Sequence, residues 1–100
     1  MDKEKELVYK RVLGEVLSSE FRTSYFSING YGEDAVCLEK KDDAWVLFYG
    51  FRNMHKDEEE FSSLLEACLE MICILCNSDI KLRHKLTNSF LDKIYAIKSA

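Results

Sequence analysis

Between Tyr25 and Cys76 the spacing of apolar residues changes twice, from alternation, through a charged interruption, to an almost unbroken apolar run. Ahead of that stretch, Val8, Val12 and Val16 lie beside Tyr9, Leu13 and Leu17 at intervals of three and four, with Glu4 and Glu6 near the positive end of a helix dipole. The pattern predicts an amphipathic helix over residues 1–20. Gly14 falls inside it, where glycine costs about 1 kcal/mol relative to alanine. From Thr23 the period becomes two. Thr23 to Ile28 reads as a strand closed by Asn29-Gly30-Tyr31-Gly32, whose glycines admit positive φ. Ala35 to Lys40 and Ala44 to Tyr49 then flank Lys41-Asp42-Asp43, the pattern of an antiparallel hairpin. The second of these strands is apolar on both faces (Trp45, Leu47 and Tyr49 against Val46 and Phe48), so it is expected at the centre of the sheet, with one face under helices and the other partly covered or used for binding.

Gly50 to Glu60 reads as a polar loop, with a short fourth strand near Glu59-Glu60-Phe61. Ser63, followed three residues later by Glu66, forms a capping box for a second helix over 62–77. From Leu64 to Cys76 only Glu66 and Glu70 are polar, and they share one stripe, so this helix needs neighbours on most of its circumference. Asp79 can cap a third helix over 79–98, in which Leu82, Leu86, Phe90, Ile94 and Ile97 recur at three and four residues. The expected fold is α+β, a single domain over 1–100. A three- to four-stranded antiparallel meander sheet spanning 21–61 is covered on one face by two or three helices.

Composition adds limits. A chain of 100 residues that is 47% hydrophobic, with no Pro and 4 Gly, has the make-up of an ordered domain built on one core. Met1 to Glu6 is too charged to open a secretory signal, and no apolar run approaches the ~20 residues that span a bilayer, so a cytosolic protein is expected. In that compartment the four cysteines are expected as buried thiols. Charge is unevenly spread. Residues 33–70 hold eleven acids against four bases, a net −7, whereas from Asp79 onward five bases face two acids, a net +3.

Candidate chemistry is sparse. Cys73-x-x-Cys76 has redox or metal spacing, but it falls at a helix C-terminus, where the dipole opposes thiolate formation, and Cys37, Cys68, His55 and His84 offer no second paired spacing for zinc. The two histidines and the Asp57 to Glu60 run are the natural proton carriers, yet nothing in the sequence positions them, and no glycine-rich phosphate loop, zinc-protease motif or serine-nucleophile motif is present. No enzyme, metal or cofactor is expected. Lys81, Arg83, His84 and Lys85 could face nucleic acid, but the chain is acidic as a whole and a solvated cationic face is the plainer reading. Solubility accounts equally plainly for the acidic middle. Its sharper reading is a decoy, with carboxylates standing in for phosphates in the basic cleft of a nuclease.

One further pattern covers roughly residues 20–76. An N-terminal helix is followed by Tyr25 to Ile28, then by Asp34-Ala35-Val36-Cys37-Leu38 with Trp45-Val46-Leu47-Phe48-Tyr49 closely after it, Arg52 in the loop, Phe61 before a serine-capped turn, and Glu66-Ala67-Cys68 opening a helix. This order resembles small immunity proteins of bacterial polymorphic toxin systems of the contact-dependent inhibition type. Several such families place an Arg-Gly turn after the Trp-bearing strand, where this chain has Gly50-Phe51-Arg52-Asn53. The resemblance implies a cytosolic inhibitor that binds the C-terminal domain of a cognate toxin and blocks its active site or the access to it, with no role for nucleic acid or membrane.

On that reading, binding is expected along the polar edge formed by Tyr31, Glu33 and Asp34 in one turn and Arg52, His55, Asp57, Glu58 and Glu59 in the following loop. A rival reading is an adaptor domain that forms a homodimer through its apolar helix or its open sheet face. A third is a metal-binding regulator using Cys73 and Cys76.

Overall fold

Adjacent residues in a strand point to opposite faces, and in this chain both faces of one strand are buried. The computed structural model describes residues 3–99, apart from the side chains of 98 and 99. Its elements run α1 (Lys3–Ser18), a 3-10 turn (Thr23–Tyr25), β1 (Phe26–Ser27), β2 (Val36–Lys41), β3 (Ala44–Phe51), β4 (Met54–Phe61), α2 (Leu64–Cys76) and α3 (Ile80–Ser99). The fold is α+β: a four-stranded sheet in the order β1-β2-β3-β4, with three helices. Met1 and Asp2, which the sequence places in the first helix, and Ala100 lie outside the described residues.

α2 packs on β2, β3 and β4 and also on both other helices, while α1 and α3 pack against each other. The main core therefore joins Leu38, Trp45 and Leu47 of the sheet to Cys68, Met71 and Ile72 of α2, Leu13 and Leu17 of α1, and Leu86 and Phe90 of α3. Tyr9 of α1 meets Phe90 of α3 edge-on, with ring centroids 6.4 Å apart. α1 passes through Gly14 without a break, and the space there is taken by Ile28, whose Cδ1 would lie 3.3 Å from an added Cβ.

Both predicted helix caps form. Ser63 Oγ accepts from the N–H of Glu66 at 3.3 Å, and Asp79 Oδ1 accepts from that of Leu82 at 3.0 Å. Between them Asn77, at φ 53, closes α2 with its N–H on the carbonyls of Cys73 and Ile74. α2 is enclosed by the sheet and its neighbours except at Glu66 and Ile74. Most of its apolar surface is thus spent inside the fold, with Ile74 left exposed.

Three sequence expectations need correction. The strand expected over Thr23 to Ile28 is a 3-10 turn followed by only two strand residues. That strand is also parallel to β2, with Phe26 opposite Val36 and Ser27 opposite Cys37, so the antiparallel meander of β2, β3 and β4 carries one parallel pair at its edge. A parallel neighbour ordinarily needs a long crossover; here residues 28–35 suffice because the strand to be retraced is two residues long, about 7 Å. Finally, the polar loop expected over Gly50 to Glu60 is the end of β3, a two-residue turn and most of β4, an eight-residue edge strand. Seven of its residues are exposed, so no alternation of apolar and polar positions marks it.

Candidate partner-binding edge

The loop of residues 28–35 does more than return the chain. It lies over the sheet face that the helices leave open. On that face Ala35, Cys37, Val46 and Phe48 form a second, small buried cluster. Gly50 is where the loop comes closest: a Cβ there would sit 2.1 Å from the carbonyl oxygen of Gly32, so only glycine allows this approach. The contact is sealed by backbone hydrogen bonds from Asp34 N to Gly50 O (2.8 Å) and from Gly50 N to Ala35 O (2.9 Å).

The β3–β4 hairpin closes through Arg52 and Asn53, both in the left-handed region at φ 51 and 62. Two such residues make a type I′ turn, whose twist suits a hairpin. Asn tolerates that conformation well; Arg does so at a cost of roughly 1–2 kcal/mol. The loop compensates by taking up both N–H groups of the turn: Arg52 N donates to Glu33 Oε2 at 3.0 Å, and Asn53 N donates to the Tyr31 hydroxyl at 2.8 Å. The Tyr31 hydroxyl in turn donates to Glu33 Oε1. Loop and turn are thereby tied into one edge.

Ring stacking extends the edge along β4. His55 lies flat on Phe48, with centroids 3.7 Å apart and planes 4° from parallel, and Tyr31 stacks beside both at 6.0 and 6.3 Å. His55 Nδ1 is 3.1 Å from Glu58 Oε2, while Lys41 reaches across β3 from β2 to place its Nζ 3.4 Å from Glu58 Oε1.

The electrostatics follow from these bonds. The Tyr31 hydroxyl, then the N–H groups of Asn53 and Arg52, hold the Glu33 carboxyl below its usual range. Desolvation and then the bond to Glu33 push the Tyr31 hydroxyl up. His55, followed by Lys41, holds the Glu58 carboxyl down. Glu33 and Glu58 are thus fixed as anions on an exposed, braced surface. Cys37 lies beneath it with its thiol in bonding distance of the backbone of Gly32 and Ala35, and burial raises its pKa, which keeps it a thiol.

Of the eight residues the sequence put forward, Tyr31, Glu33, Asp34, Arg52, His55 and Glu58 come together here. Asp57 and Glu59 do not. Glu59 lies opposite Leu47 and Lys56 opposite Tyr49, so two residues, Asp57 and Glu58, face Phe48 in a bulge, with Asp57 at φ 54. Asp57 and Glu59 consequently line a groove on the helix side of the strand with Leu47 and Tyr49. Four contributors escaped the sequence reading: Lys41, Phe48, Gly50 and Asn53. Asn53 carries the one usable signal, its ease in left-handed turns.

The cysteines are free: Cys68 and Cys76 are buried and Cys73 is half-buried beside Arg83, whose Nη1 lies 3.6 Å from its sulfur. Burial pushes the Cys68 thiol up to about 12. Among the described residues no group of three or more His, Cys, Asp or Glu side chains is placed to hold a metal ion, and no helix is long and apolar enough to cross a membrane. Comparison with protein-family models, with curated proteins and with solved structures finds no match to this chain.

Proposed function

We propose that this chain is a cytosolic immunity protein of a bacterial polymorphic toxin system, a non-enzymatic inhibitor that binds the C-terminal toxic domain of a nuclease. The observation that carries the reading is the tie of Tyr31 and Glu33 onto the N–H groups of Arg52 and Asn53. It joins two surface segments into one rigid, acid-bearing edge, and a recognition surface ordered before binding loses little freedom on binding. The likeness of residues 20–76 to immunity proteins in strand and helix order supports the same reading.

Inhibition on this view is occlusion. Anions at Glu33, Asp34 and Glu58 occupy the basic cleft in which the nuclease would hold phosphates, and the net −7 of residues 33–70 steers the two proteins together. No bond is made or broken.

Because Asp57 and Glu59 face away from this edge, the test reverses charge at Glu33 and Glu58 alone. The Glu33→Lys, Glu58→Lys double variant is expected to associate with the toxin domain about tenfold or more slowly and to lose protection in a co-expression survival assay, while its circular dichroism spectrum is unchanged. Full protection by a correctly folded double variant would remove this edge from the interface. A toxin-encoding frame directly upstream of the gene is the expected genetic setting.

A further inference from the structure

The groove lined by Asp57 and Glu59 stands apart from that edge, on the opposite face of β4. Its floor is Leu47, Tyr49 and Val36 of the sheet with Ile74 of α2, and its volume is about 260 Å³. Tyr49 is 40% exposed and Ile74 42%, the latter being the one apolar residue of α2 left in the open. Asp57 and Glu59 rim one side and Glu70 of α2 also lines the groove.

These three carboxylates, like several others on the surface, have no cation of their own. Glu6, Glu20 and Glu58 each have a cation within 3.4 Å, and Glu33 is satisfied by the turn. Among the described residues Asp57, Glu59 and Glu70 have no ion-pair or hydrogen-bond partner. The base nearest in sequence, Lys56, holds its Nζ 4.9 Å from the centre of the Phe51 ring.

We propose that this groove is a docking site for a basic amphipathic segment of a partner protein. The chemistry selects that occupant. A purely apolar segment would cover the floor but strip water from three unpaired anions without replacing it. A nucleic acid would be repelled by the rim. An Arg or Lys side chain meets both demands, laying its aliphatic stem on Tyr49 and Ile74 and its cationic head among the carboxylates, while a neighbouring Leu of the same segment fills the floor. The groove binds this segment whether or not the opposite edge binds a toxin.

The test uses the full chain, labelled with 15N, titrated with a synthetic helical peptide of Ala, Leu and Arg carrying Arg and Leu on one face. Amide shifts are expected to move at Leu47, Tyr49, Asp57, Glu59, Glu70 and Ile74. The same peptide with Glu in place of Arg should move none of them. An Asp57→Asn, Glu59→Gln, Glu70→Gln variant should bind the Arg peptide about tenfold more weakly, as three exposed ion pairs together are worth about that factor. Ile74→Ser, which removes part of the floor at an exposed position, should also weaken it. Shifts spread over the whole acidic surface, or binding unaltered by neutralising the rim, would overturn the proposal. So would concentration-dependent shifts at the same residues without peptide, which would identify a second copy of the chain as the occupant.

Discussion

Leu47 and Phe48 are neighbours in β3 and nearly equally buried, at 1% and 3% exposure, yet they are buried by different means. Leu47 lies on the side of the sheet where α2 packs and belongs to the core that the three helices share, in which volume and dryness do the holding. Phe48 faces a four-residue cluster closed by a single loop, a stacked histidine and a few directed hydrogen bonds. Volume removed from the first face is lost from the stability of the whole domain. The second can be altered bond by bond.

The sharpest break of that comparison is on the helix side. Ile72 is fully buried between α2 and its neighbours. Ile72→Asp would leave an unpaired charge there at a cost of several kcal/mol, against a total stability of about 5–15, and is expected to unfold the protein. Circular dichroism and a melting curve check it; a soluble variant with an unchanged melt would show that α2 is not the centre of the core.

On the loop side the largest effect is expected at Gly50. The Cβ of Gly50→Ala collides with the Gly32 carbonyl, a rigid backbone atom, so the loop must lift from the sheet. Overpacking of this kind costs about 1–3 kcal/mol, or roughly 4–8 °C of melting temperature per kcal/mol in a domain of this size. The fold should survive, with amide shifts displaced at Gly32, Asp34 and Ala35. An unperturbed loop would mean that the approach is looser than the structure has it.

Tyr31→Phe is a finer cut. It keeps the ring on Phe48 and His55 but removes the oxygen that receives Asn53 N. The melting curve should barely move, while hydrogen exchange at Asn53 speeds up and exchange in α2 does not. Equal acceleration in both regions would mean that the two faces are not independent.

Acid gives the smallest and most reversible perturbation. The folded-state pKa of Glu33 and of Glu58 is below the ordinary value of 4.5, so each stabilises the fold in full above that value and loses its contribution as pH falls through the lower, folded pKa. The amides of Arg52 and Asn53 should therefore titrate with a midpoint below 4.5, ahead of any change in the helical core. A midpoint at or above that value would show that Glu33 is not held by the turn.

Much of the fold was legible because it repeats locally. Val12 and Val16 in α1, Leu86, Phe90 and Ile94 in α3, the caps at Ser63 and Asp79, and the β2–β3 hairpin each announce themselves within a few residues. The candidate edge was half legible. Tyr31, Glu33 and Arg52 could be proposed as neighbours from their place in adjacent loops, but the bond from Arg52 N to Glu33 joins residues nineteen apart and has no local signature.

The sequence by itself determined which segments are helices, that β3 lies at the centre of the sheet, and that the middle of the chain is acidic. Each of these is written in periodicity or composition, which need no knowledge of distant neighbours. Only the tertiary structure decided that Met54 to Phe61 is a strand and on which side of it each acid stands. Asp57, Glu58, Glu59 and Glu60 are alike in charge, and so a slip by one residue leaves the pattern unchanged. Pairing with β3, the left-handed turn at Arg52-Asn53 and the bulge at Asp57 set the register, turning Glu58 toward His55 and Asp57 and Glu59 toward the groove.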